Sequence, residues 1–286
     1  MGIPFRLLAL DIDGTLLRSD KAMSPRTRAA VDAAREAGVR LVLVTGRRHP
    51  SARRVADDLG GAVPLVLHNG ALVMEAGEVL RVSPLPRAAA RRTVLAGRAQ
   101  GLEPVVHGGL RGEGFLVVSA GARGSRLVSY YLDRNGPDVR IVPDLIDVLG
   151  AEDPIQVMFG GDREVMDAAL PGLAAALPEE ARIERTVYPQ NGVVLLDVLA
   201  RGVGKAEALA FLQARWGIGP AETLAIGDNW NDREMLARAG LGFVMGNADP
   251  DLRRIGLPVL PTNDEDGVAV AIEEHLLGRA RNSKRG

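Results

Sequence analysis

An apolar run, Leu7-Leu8-Ala9-Leu10, drives straight into two acidic residues, Asp11 and Asp13, and then into Gly14-Thr15. No other stretch constrains the fold as much. A short uninterrupted aliphatic run reads as a strand of a parallel sheet, covered on both faces. Such a strand needs a reason to end in carboxylates, because an unpaired buried charge is very costly. In open α/β sheets, ligands bind at the carboxyl ends of strands. Residues i and i+2 of an extended segment point to the same side. Asp11 and Asp13 therefore repel unless a cation joins them, and hard oxygen ligands suit Mg²⁺. Gly14 lets the chain turn sharply just after them. Alone, the stretch reads more readily as an acidic turn closing a strand, and the rest of the chain has to decide.

Ser24-Pro25 predicts a helix start, with Ser as N-cap and Pro at the first helical position. Ala29, Ala30, Ala33, Ala34 and Ala37 give that helix an apolar stripe, and Gly38 closes it. Arg40-Leu-Val-Leu-Val44 is a second buried strand, ending in Thr45-Gly46-Arg47. A helix is predicted over 49–59, then a third strand, Pro64-Leu-Val-Leu67, ending in His68-Asn69-Gly70. The alternation predicts an α/β fold, a doubly wound (Rossmann-like) parallel sheet with right-handed crossovers.

The rhythm changes at Ser83-Pro84-Leu85-Pro86, which reads as a linker. Beyond it come a helix over 87–99, strands near 103–107 and 114–119, and a helix over 125–134. A strand over 155–159, a helix over 163–176 and a strand over 182–188 follow. These pieces predict a separate α+β unit with its own sheet. Val193–Val198 then leads back, and a helix follows Gly204-Lys205. Thr223-Leu-Ala-Ile226 ends in Gly227-Asp228-Asn229-Trp230-Asn231-Asp232. Further βα pieces start at Phe243 and Pro258, and a closing helix covers 268–277. The domain reading is a discontinuous core, 1–82 and 191–286, with a second unit, 83–190, inserted into it.

Composition excludes several classes. A formal net charge of -1 offers no pull toward nucleic acid or an anionic membrane. With no cysteine, disulfides, thiol catalysis and Cys-ligated metals are out. Asp11 and Asp13 interrupt the first apolar run before it could serve a signal peptide, and no apolar stretch approaches the roughly 18 residues of a membrane span. A cytoplasmic protein is expected, a monomer or small homo-oligomer, with a frayed and solvated basic tail over Arg279–Arg285. Lysine is scarce: Lys21, Lys205 and Lys284 stand against arginine at every other basic position. An interior Lys205 in such a chain suggests a site that needs a compact ammonium.

Four strand ends or helix starts now carry polar residues: Asp11 and Asp13, Thr45-Gly46, Lys205, and Asp228 with Asn231 and Asp232. Singly, each has a plain reading as a turn, a solvated helix residue or an ordinary βα loop. Together they fall on one edge of one predicted sheet. Three carboxylates there call for a cation, and a lysine, a hydroxyl and a helix start suit an anion. Metal plus anion points to phosphate.

In these motifs the chain resembles the haloacid dehalogenase superfamily phosphatases of the Cof type, which carry a large α/β cap. Asp11-Ile-Asp-Gly-Thr15 fits the DxDxT motif, Thr45 the second motif, Lys205 the third, and Gly227-Asp-Asn-Trp-Asn-Asp232 fits GDxxND. Gly246-Asn247-Ala248 and Asn263-Asp264-Glu265-Asp266-Gly267-Val268 also resemble segments of this branch. The resemblance implies Asp11 as nucleophile forming an aspartyl-phosphate, and Asp13 as general acid and then base. It implies Mg²⁺ held by Asp11, the Asp13 backbone carbonyl and Asp228. Thr45, the Gly46 amide and Asn231 would bind the phosphate, and Lys205 would neutralise it. Thr15 would fix the turn, and Asp232 would orient Lys205 or a metal-bound water. The implied substrate is a small phosphorylated metabolite, such as a sugar phosphate, with segment 83–190 closing over the site and choosing the leaving group. His107, Arg111, Arg134, Asp144 and Tyr188 are polar residues of that region, with Asn191 at its boundary, none singled out. A phosphosugar mutase shares such a site, and a non-catalytic binding protein is the third reading. A Rossmann dinucleotide enzyme lacks its GxGxxG here, and Gly202-Val-Gly-Lys205 lacks the remaining residues of a Walker loop.

Overall fold

All four residues of the first strand, β1 (Leu7–Leu10), are buried, as a strand paired on both sides and covered on both faces requires. The computed structural model describes residues 5–124, 126–150 and 152–278; the basic tail over 279–285 lies outside the described residues. The remaining strands are β2 (Arg40–Val44), β3 (Leu65–Leu67), β4 (Leu72–Glu75), β5 (Glu78–Val82), β6 (Val105–His107), β7 (Leu116–Ser119) and β8 (Val139–Val142). They continue with β9 (Gln156–Asp162), β10 (Ala181–Tyr188), β11 (Val193–Ala200), β12 (Thr223–Gly227) and β13 (Leu241–Val244). The first sheet runs β13-β12-β1-β2-β3-β4-β5, and the second β10-β11-β9-β6-β7-β8.

Two compact units divide the chain. The first holds the residues up to Thr45, Arg54–Val66 and everything from Lys205 on; the second holds Gly46–Arg53 and Leu67–Gly204. In the first unit β1 pairs in parallel with β2 and β12, and β12 pairs with β13, as the alternation predicts. Leu10 stands opposite Leu43 and Ile226. Asp11, Thr45 and Asp228 therefore leave three neighbouring strands at the same end. The helix Pro25–Glu36 starts as expected: the Ser24 side chain accepts the Thr27 N–H at 3.0 Å, and Pro25 takes the first turn. Pro258–Leu260 contributes only an isolated bridge, Val244 to Val259, instead of a full strand piece. The closing helix is α-helical over Gly267–Ala271 and continues as one π turn over Ile272–Leu276.

The second unit has the separate sheet predicted for it. Strand β11, placed by the sequence reading with the returning core, pairs antiparallel with β10 and β9 in this sheet. Its aliphatic run fits a buried strand of either sheet, so composition did not distinguish them. The hairpin β4–β5, closed by Ala76 and Gly77 at positive φ, was not foreseen. At His68-Asn69-Gly70 three successive residues take φ of 48°, 53° and 104°. The conformation is held from outside: Asn69 Nδ2 donates to Asp197 Oδ2 at 3.0 Å, and Gln156 Nε2 donates to Asp197 Oδ1 at 2.8 Å.

His68 and His107 are buried edge to face, ring centroids 5.4 Å apart. Burial pushes the His68 imidazole down to about 3, with the Arg48 charge adding to it. Burial, then His68 and Arg48, hold His107 well below its ordinary value. Both are neutral in the folded protein near neutral pH, whereas the unfolded chain takes up their protons from about pH 6.5 downward. Their contribution is therefore full above that pH and is lost as pH falls toward 3. His68→Asn, whose side chain tolerates positive φ, is expected to flatten the acid limb by up to about 1.4 kcal/mol per pH unit. Denaturant melts of both proteins between pH 7 and 4 check this, and parallel limbs would refute it.

Candidate active site

Asp11 sits one residue past β1, its N–H donating to the Ile226 carbonyl at 3.1 Å and its side chain buried. Lys205, first residue of the helix Lys205–Trp216, is 2% exposed. Its Nζ donates to Asp11 Oδ1 at 2.6 Å and to Asp232 Oδ1 at 2.7 Å. Asp232 Oδ2 accepts the Asp228 and Asn229 N–H groups at 3.2 and 3.0 Å. Both Asp232 oxygens are thus engaged in fixing Lys205 and the loop after β12. That loop requires Gly227, because a Cβ there would overlap the Asp232 side chain.

Asp228 is buried and accepts Thr15 Oγ1 on Oδ1 at 2.9 Å. Gly14, at φ 78°, packs against the other oxygen; a side chain there would overlap Asp228 Oδ2 in a conformation glycine adopts freely. Ligand oxygens of Asp11, Asp228 and Asp232 all lie within 4.8 Å of one another, so the three could hold a metal ion. The Asp13 carboxylate is not in that group and lies 3.4 Å from Lys21 Nζ. Since Asp232 is already taken by its donors, Asp11 and Asp228 are the stronger ligand pair.

Electrostatics says the same. Burial raises the Asp11 carboxyl to about 7, opposed by Lys205 and reinforced by Asp232 and Asp13. Burial and Asp11 raise Asp228 well above the carboxylate range. Burial pulls Lys205 down, and the charges and hydrogen bonds of Asp11 and Asp232 more than reverse it. Full ionisation of three buried carboxylates against one ammonium would leave two negative charges, the complement of a divalent cation, and burial holds the acids up where no cation neutralises them. The donor set, all hard oxygen, fits such an ion.

The structure therefore brings together Asp11, Thr15, Lys205, Asp228 and Asp232 from among the residues expected. Thr45 is buried at the end of β2, its N–H donating to Val66 O at 2.8 Å. Gly46 follows it and lies so near Asn69 that a Cβ would come within 3.0 Å of Asn69 Oδ1. Asn231 is buried in the turn Trp230–Asp232, whose start is held by Asn229 Oδ1 on the Trp230 N–H at 3.0 Å. Lys21, which the sequence reading did not place at the site, is exposed and pairs with the Asp13 carboxylate. Its signal was the scarcity of lysine, since Lys21 and Lys205 both reach site carboxylates. Several polar residues of 83–190 have structural work: His107 packs on His68, and Asp144 caps the helix Leu145–Val148 and binds Arg98 at 2.8 Å. Asn191 Oδ1 accepts the Val193 N–H at 3.2 Å. The Arg134 side chain lies outside the described residues.

Comparison with known proteins gives a consistent result. A family model described as haloacid dehalogenase-like hydrolase matches residues 8–272. The pyridoxal phosphate phosphatase YbhA of Escherichia coli is 28% identical over 281 residues, covering 95% of this chain and 99% of that protein. The HMP-PP phosphatase of Cronobacter sakazakii is 29% identical over 266 residues, covering 90% and 89%. Among solved structures, a haloacid dehalogenase-like hydrolase from Bacteroides thetaiotaomicron is similar with a TM-score of 0.76 and 27% identity, over 94% of this chain and 99% of that one.

Proposed function

This chain belongs to the haloacid dehalogenase-like hydrolase family, and on that premise we propose that it is a Mg²⁺-dependent phosphatase of small phosphomonoesters that works through an aspartyl-phosphate. One observation carries the reading: a buried lysine bound to two aspartates, with a third carboxylate in metal-sharing range, at the end of the central parallel strands. Relatives named as phosphatases of small phosphorylated compounds support the substrate class.

In this reading the Asp11 carboxylate attacks phosphorus, and the ester oxygen leaves with a proton from Asp13. Asp13 then takes a proton from water, which attacks the phosphoryl group on Asp11 and frees inorganic phosphate. Lys205 stabilises the charge on the transferring group, and Asp232 holds Lys205 on Asp11. Thr45, the Gly46 amide and Asn231 bind phosphate oxygens, and Thr15 holds Asp228. Asp11, the Asp13 carbonyl and Asp228 would hold Mg²⁺, which supplies charge neutralisation at the phosphate. The inserted unit, carried through β11, acts as the cap that selects the leaving group, and the cytoplasm is the expected compartment. No helix among the described residues is long and apolar enough to cross a membrane.

The test is phosphate release from a panel of phosphomonoesters, with and without a chelator. Chelation is expected to silence turnover and added Mg²⁺ to restore it. Mg²⁺ at a hundred times its Kd should also stabilise the fold by about 2.7 kcal/mol, because it binds only the folded state. Full turnover in chelator would overturn the metal role. A chain that releases no phosphate but interconverts phosphosugar isomers when given a bisphosphate would be a mutase instead.

A further inference from the structure

Two segments have no chemistry in the mechanism above, Gly246-Asn247-Ala248 and the stretch starting at Asn263. Both are built onto the turn that follows Asp13. Asn247 Nδ2 donates to the Gly14 carbonyl at 2.8 Å, and its Oδ1 accepts the Asn263 N–H at 3.0 Å. Asn263 Nδ2 donates to the Leu17 carbonyl at 2.9 Å. One step further out, Asp264 Oδ1 accepts the Ser19 N–H at 2.9 Å and the Ser19 hydroxyl at 3.0 Å. Two side-chain amides thus grip the two carbonyls that bracket the turn, each 2.9 Å or closer.

The clamp is itself rigidly seated. Glu265 Oε2 accepts both the N–H and the hydroxyl of Thr262, at 3.0 and 2.8 Å. A Cβ at Gly246 would come 2.8 Å from the Leu260 carbonyl and 3.1 Å from the Thr262 nitrogen. The two loops are therefore in backbone contact, and Asn247 has little freedom to move. Only an amide suits position 247, because it must donate with one atom and accept with the other.

The Gly14 carbonyl belongs to the peptide that leads into Thr15. Thr15 Oγ1 holds Asp228 Oδ1 at 2.9 Å, and Gly14 leaves the space that Asp228 Oδ2 occupies, since a Cβ there would overlap it. A rotation of that peptide would shift both supports of Asp228 at once. We propose that Asn247, steadied by Asn263, is a positioning residue: it fixes the Gly14–Thr15 peptide and so sets Asp228 against Asp11 at the separation a divalent cation needs. The inference rests on the metal-dependent reading of this site.

Calorimetric titration of Mg²⁺ into metal-free protein tests it without any turnover. Groups that orient metal ligands typically control affinity by 10–100-fold. Asn247→Ala is expected to bind Mg²⁺ about 10-fold more weakly or worse. Asn247→Asp separates positioning from charge. It keeps the acceptor for the Asn263 N–H, loses the donor to Gly14 and adds a negative charge near the metal. Charge alone would tighten Mg²⁺ binding, whereas loss of positioning weakens it, so weaker binding is expected here too. If both variants bind Mg²⁺ as tightly as the wild type, the inference falls and the metal reading stands, even if their melting temperatures drop. The same holds if Asn247→Asp alone folds and binds more tightly. If the wild type itself takes up no Mg²⁺, the metal reading falls first and this inference with it.

Discussion

Asp11→Asn is expected to lower phosphate release by on the order of 10⁴-fold or more, while the protein still folds. The amide is nearly isosteric but cannot form the acyl-phosphate, and removal of a covalent nucleophile costs on that order. The stability side of the prediction has the opposite sign. Burial, partly offset by Lys205, pushes the Asp11 carboxyl up to about 7, so its charge carries a net cost in the metal-free fold even with Lys205 beside it. Removing one of three crowded carboxylates should leave the metal-free melting temperature unchanged or raised. Steady-state kinetics and thermal melts in chelator check the two halves separately. A variant with near-normal turnover would remove Asp11 as nucleophile.

Lys205→Met is expected to be damaging on both counts. It strands Asp11 and Asp232, each now bound to Nζ within 2.7 Å and each buried. Removing one partner of a buried ion pair costs about 3–5 kcal/mol, since the remaining charge stays out of water. Part of that loss should return when Mg²⁺ is added, because the cation supplies the missing positive charge. Turnover should fall by at least about 10²–10³-fold, the usual cost of losing one preorganised electrostatic group. Lys205→Arg is not expected to rescue it, because a planar guanidinium does not fit a site shaped around a 2% exposed ammonium. Urea melts with and without Mg²⁺, alongside kinetics, measure these effects. Wild-type stability in Lys205→Met would mean that the carboxylates are neutralised another way.

Much of this site could be read from the chain because its residues stand at places that local rules recognise. Asp11 ends an aliphatic run, Thr45 ends another, Asp228 follows Ile226-Gly227, and Lys205 opens a helix. Each position is set by its own strand or helix, and parallel pairing aligns the ends. Strand β11 was harder: Val193–Ala200 carries an aliphatic pattern that suits either sheet, and only its antiparallel pairing with β9 and β10 assigns it. His107 was one of several polar residues of the inserted segment, none singled out, and its contact with His68 makes it part of the interior.

The sequence by itself determined which groups the candidate site draws on: two carboxylates spaced by one at the end of β1, an interior lysine opening a helix, and an acidic loop after a later strand. Covalent spacing and period-2 geometry are local, so they are written in the order of residues. Tertiary structure alone decided how those groups share their hydrogens. Asp232 is engaged by Lys205 and two loop N–H groups, Lys21 reaches Asp13, and Asn247 lies against Gly14 across 233 positions of sequence. Hydrogen bonds need a donor and an acceptor about 3 Å apart. No spacing along the chain specifies which distant side chain will arrive there; the packing of the loops does.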